Sequence, residues 1–121
     1  MPLERSLKRW PDLFPLNSLY GAVLSKLGED TQAYSTLRHA RQLNPDDAPT
    51  ADLLYRTTLR LAESSTKEHQ ESAAMRYLGE AEKLRPEQAE PHKKMAEILA
   101  RMGKKEQAEA EQEQAEKLSS K

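Results

Sequence analysis

The sequence predicts an all-α chain, a right-handed α-solenoid of antiparallel helix hairpins whose middle hairpin is elongated. Three observations predict it. Ala40, Leu37 and Ala33 lie five, eight and twelve residues before Pro45, and Ala81, Leu78 and Ala74 lie at the same distances before Pro86. The register returns ahead of Ser120, 34 residues beyond Pro86. Ala115, Gln112 and Ala108 take the three near positions there, and Gly103, Leu99 and Ala96 repeat the spacing of Gly28, Leu24 and Gly21 before Pro45. Third, hydrophobic residues make up 36% of the 121 residues and charged ones 32%. That balance suits a thin core between helix layers better than a deep one.

The elements follow in order. Leu3, Ser6, Leu7, Trp10 and Pro11 fit the second helix of a unit whose first helix is missing. The chain therefore reads as starting inside a repeat, as the carboxy-terminal end of a longer array or with an unusual half-repeat. Leu16, Leu19, Tyr20, Val23, Leu24 and Leu27 have helical spacing and predict a helix over 16–27. Its buried stripe is expected to hold Tyr20, Leu24 and Leu27. Gly28 is the stop, Asp30 or Thr31 the next cap, and 31–43 the second helix. Asn44-Pro45-Asp46-Asp47 is a turn. From Pro45 to Pro86 is 41 residues, seven more than the repeat, and the surplus is placed between Leu59 and Ala74. Ser65-Thr66-Lys67-Glu68 matches a capping box, so helices over 49–64 and 66–84 are expected, each longer by about one turn. The last unit repeats the first, with helices over 91–102 and 105–118 around Gly103. Pro49 and Pro91 suit a helix's first turn. The C-terminal helix, Glu106 to Leu118, is polar outside, with Gln112 where Leu37 and Leu78 stood, as a terminal capping repeat requires.

These residues resemble the tetratricopeptide repeat family. Asn17-Ser18-Leu19-Tyr20-Gly21-Ala22-Val23-Leu24, then Ala33 and Leu37, then Pro45 follow its pattern. His92 to Leu99 and Ala108 follow it again. The middle unit keeps Ala74, Leu78 and Pro86, but Tyr55 stands where a small residue belongs. The resemblance covers essentially 1–121 as one domain: a half-repeat helix (1–13), repeat one (14–47), a long repeat two (48–88) and a capping repeat (89–121).

Catalysis finds little footing. His39, His69 and His92 are scattered one per unit, without metal-ligand or acid–base spacing, and carboxylates sit in exposed helical runs. No phosphate loop and no nucleophile motif occurs. With no cysteine there is no thiolate for zinc or catalysis. No enzyme activity, cofactor or metal is expected. A net charge of −1 gives no pull toward nucleic acid. The start lacks a signal peptide's apolar stretch, and no run approaches the ~20 residues that span a bilayer. Compartment is open.

The family implies a concave groove lined by first helices, binding protein or peptide. Its positions here are Ser18, Ala22, Ser25 and Lys26; then Asp52, Arg56, Leu59, Arg60 and Glu63; then Lys93, Glu97, Ala100, Arg101 and Lys104. Six are basic and three acidic, so the expected guest is a peptide of acidic character held by Arg56 and Arg60. The lysine-and-asparagine set with which co-chaperones of this family hold acidic chaperone tails is not matched. Two other readings stand: an oligomerisation or regulatory appendage of a larger protein, and a weak homodimer through the N-terminal half-repeat. Trp10 and Phe14 are expected to fold down onto unit one.

Overall fold

The computed structural model describes residues 2–120, and the side chains from residue 4 onward. Leu3, an expected apolar position, therefore has no described side chain. Among the described residues there are seven helices and no strand: α1 Pro2–Arg9, α2 Phe14–Lys26, α3 Asp30–Leu43, α4 Ala48–Lys67, α5 Glu71–Leu84, α6 Glu90–Arg101 and α7 Lys105–Ser119. The chain divides into two compact units, Met1–Thr57 and Thr58–Lys121.

In the first unit, α2 and α3 form a hairpin whose contact is set by Gly21 and Leu37. A Cβ on Gly21 would lie 2.6 Å from the Leu37 Cδ2 atom. Close approach of two helices requires such a gap. Leu24, Ala33, Leu37 and Ala40 are buried. The first half of α4 meets α2 through hydroxyls: Ser18 with Thr50 at 3.3 Å and Ser25 with Thr57 at 3.4 Å. The Asp47 carboxylate opens α4 by accepting from the Thr50 amide (3.1 Å) and hydroxyl (2.6 Å). Buried Asn17 donates to the carbonyls of Pro11 and Leu13 at 3.0 and 2.9 Å, tying the α1–α2 loop down. Tyr20 donates to Glu4 at 3.2 Å. Desolvation, this bond and the Glu4 charge together raise the phenol's pKa.

In the second unit, Ala62, Ala74, Leu78, Met95 and Ile98 form the core, with Leu59, Met75 and Tyr77 against it. Ala108 and Ala115 are buried on α7, while Gln112 is exposed.

Three hairpin tips close identically. Gly28, His69 and Gly103 have φ of 79°, 60° and 78°. Each donates its amide to the carbonyl three residues back, in Ser25, Thr66 and Ala100 at 3.1 Å. The next amide reaches back five residues: Glu29 to Leu24 (3.0 Å), Gln70 to Ser65 (2.8 Å), Lys104 to Leu99 (2.9 Å). This is the Schellman ending.

Five expectations need correction. The extra seven residues do not lengthen both helices of the middle hairpin. α4 has 20 residues against 13 in α2, whereas α5 and α3 both have 14. Aligned from the tips, α2 corresponds to 55–67 of α4, so the surplus lies at the start of α4. Ser65-Thr66-Lys67-Glu68 is no capping box: α4 runs through to Lys67, and the Thr66 hydroxyl donates to the Ala62 carbonyl at 2.9 Å. Neither Asp30 nor Thr31 caps α3; Glu29 holds that position without a side-chain bond. Leu27 is 65% exposed beyond the end of α2, and Trp10 is 48% exposed beneath the Arg9 guanidinium (4.8 Å), not folded onto the hairpin.

Candidate functional site

α4 and α6 each turn a polar face to solvent opposite a buried one, whereas α2 exposes Leu19 beside Lys26. On α2, Ser18 and Ala22 are half-buried and Lys26 is exposed. On the first half of α4, Asp52 is half-buried and Arg56 exposed, and the two pair at 3.1 Å. On its second half, Leu59 is half-buried against the core and Arg60 is exposed. On α6, Lys93, Glu97 and Arg101 are all exposed.

The tip-anchored register sharpens this set. The α4 residues equivalent to Ser18, Ala22 and Lys26 are Leu59, Glu63 and Lys67, and those on α6 are Lys93, Glu97 and Arg101. Stepping forward by 34 reaches Asp52, Arg56 and Arg60 instead, which face outward on the same helix but occupy other repeat positions. Glu63, Thr66 and Lys67 of α4 and Lys94 and Glu97 of α6 border a cleft of about 230 Å³, with Ala62, Leu78 and Ile98 at its base. Thr66, Lys67 and Lys94 were missed from the sequence. Two pairs along single helices stiffen its sides, Lys67 with Glu63 at 3.9 Å and Lys94 with Glu90 at 4.0 Å.

Two of the three histidines hold structure together. His92 is buried, and its Nδ1 lies 2.6 Å from Glu111 of α7. His39 Nε2 sits 3.1 Å from both the Pro11 carbonyl and Asp12 Oδ1. Asn17, Thr58 and His92 occupy one repeat position, and all three are buried. Among the described residues no buried side-chain nitrogen or oxygen lacks a partner. No group of three or more His, Asp or Glu among them is placed to hold a metal ion, and no helix is long and apolar enough to cross a membrane.

No protein-family model matches the chain. No curated protein matches it either. Solved structures do. MamA MSR-1 matches 98% of this chain at 22% identity with a TM-score of 0.59. MamA AMB-1 matches 98% at 23% identity and 0.57. A third MamA crystal structure matches 97% at 18% and 0.58. The chain spans 64%, 66% and 60% of those three proteins' lengths. At such identities the likeness shows the fold, and the fold is the tetratricopeptide type that the repeat resembles.

Proposed function

We propose that this chain is a non-enzymatic protein–protein interaction module, a scaffold or adaptor that takes a peptide or protein segment on the exposed faces of its first helices. One observation carries the reading. Packing commits one face of α4 and of α6 to the interior and leaves the other polar and exposed, with Arg56, Arg60, Glu63 and Lys67 on α4 and Lys93, Glu97 and Arg101 on α6. Fold similarity to MamA supports the repeat architecture from which the reading proceeds.

The contact set is Ser18, Ala22, Lys26, Asp52, Arg56, Leu59, Arg60, Lys93, Glu97 and Arg101. Its charged anchors are Arg56 and Arg60, four residues apart on one face of α4. A guest carboxylate displaces Asp52 from Arg56, an exchange between solvent-exposed groups that costs little. The guest is a segment of acidic character. Nucleic acid is not a partner on this reading, since a net charge of −1 gives little counterion release.

Fluorescence anisotropy of labelled acidic, neutral and basic peptides against the full chain tests it. Acidic peptides bind best, and Arg56→Glu with Arg60→Glu abolishes that preference while the helical circular dichroism stays unchanged. Binding that ignores both peptide charge and the double reversal sinks the reading.

A further inference from the structure

Leu16, Leu19 and Val23 fall at i, i+3 and i+7 and share one face of α2, and Leu27 at its C-cap continues that line. Leu19 and Leu27 are 53% and 65% exposed, and Leu13 and Trp10 beside the helix are 46% and 48% exposed. Only Met102 joins them as an exposed large hydrophobic residue among those described. In a chain that is 32% charged this is a concentrated apolar surface.

The chain's own repeat shows how part of this face is covered, the counterparts of Leu19 and Leu27 being half-buried Lys94 and exposed Met102. In the second unit, the residues equivalent to Leu16, Tyr20 and Val23 are Pro91, Met95 and Ile98, and all three are buried. Met95 and Ile98 pack there against Ala62, Ala74 and Leu78 of the preceding helices. The same positions on α2 have no such cover: Leu16, Tyr20 and Val23 are only half-buried.

We propose that two copies of this chain associate through α2, stripe against stripe about a two-fold axis. The occupant must be apolar, and within this chain the exposed apolar side chains lie on or beside α2 itself. The last helix, α7, offers exposed Gln112, Glu109 and Glu113 instead. Lys26, at the edge of the stripe, is the one charged residue of α2, and a two-fold contact that runs the helices antiparallel keeps it apart from its copy, as an isologous contact requires. A helix of 13 residues is about 20 Å long. A contact of that size falls below the ~1,200 Å² of a standard interface, so the dimer is weak and concentration-dependent. The proposal is independent of the peptide-binding reading, since its variants leave the arginines of α4 untouched.

Sedimentation velocity of the full chain over a concentration series is the test. The mean mass rises from 13.8 kDa toward twice that value, and Leu19→Glu with Leu27→Glu keeps it at the monomer at every concentration. Because the chain has no cysteine, a single introduced thiol reports proximity without background. Leu19→Cys cross-links to a homodimer under mild oxidation, and Gln107→Cys on α7 does not. A wild-type chain of constant monomer mass, a dimer that survives the double glutamate, or cross-linking of the two cysteine variants at equal rates each overturns the proposal.

Discussion

Replacing His69 by glycine should stabilise the protein. His69 has φ 60°, in the region that L-residues enter only at a cost. Crowding of Cβ against the carbonyl costs about 1–2 kcal/mol, and histidine sits toward the lower end. Glycine removes that strain but gives the unfolded chain more freedom, which returns roughly 0.5–1 kcal/mol. The net gain is up to about 0.5 kcal/mol. Unfolding entropy of ~2.1 cal/mol/K per residue over 121 residues makes one degree worth about 0.25 kcal/mol, so the melting temperature rises by up to about 2 °C. His69 is exposed, so little packing is lost with the imidazole. Scanning calorimetry of wild type, His69→Gly and His69→Ala separates backbone from side chain: alanine keeps the strain and gains nothing. The mirror variants Gly28→Ala and Gly103→Ala lose about 1 kcal/mol each, although a Cβ there meets no atom within 4 Å. If His69→Ala stabilises as much as His69→Gly, or if glycine lowers the melting temperature, the reasoning fails.

Other outcomes follow from the same geometry. Gly21→Ala drives a methyl into buried Leu37 and costs about 1–3 kcal/mol in urea unfolding; paired with Leu37→Ala the two costs add to less than their sum. Asn17→Ala removes one donor from each of the Pro11 and Leu13 carbonyls, which keep His39 Nε2 and the residue-17 amide beside them, and costs about 0.5–1.5 kcal/mol. Glu111→Ala strips buried His92 of its partner and costs about 1–3 kcal/mol, while Glu113→Ala on the exposed side of α7 stays within about 0.5 kcal/mol. Asp52→Ala frees Arg56 and tightens an acidic peptide by about 1.5- to fivefold in anisotropy titrations, in keeping with a surface pair of ~0.2–1 kcal/mol.

The hairpin plan was legible because alanine and glycine recur where helices touch, and their spacing survives changes elsewhere. The start of α4 was not legible because two local signals competed. Counting forward by 34 sets Tyr55 against Gly21, whereas counting back from Pro86 gives Ala62, which is buried, and His69 as the counterpart of Gly28. A histidine in glycine's place hid the tip, and Ser65-Thr66 mimicked a cap while sitting inside the helix. Apolar spacing located Leu27 and Trp10 on helical faces but not which faces would be covered. His92 drew little notice because Glu111 lies nineteen residues away on another helix, where no local pattern links them.

The shared position of Asn17, Thr58 and His92 has a further consequence. A chain built of look-alike parts risks assembling them in the wrong place, since alanine and leucine accept almost any neighbour. An amide answered by two loop carbonyls, a hydroxyl, and an imidazole answered by a carboxylate are not interchangeable. Each works as a private key. Exchanging two hairpins would strand a polar group in a dry interior, so the order of the modules is written in the few side chains that are least oily.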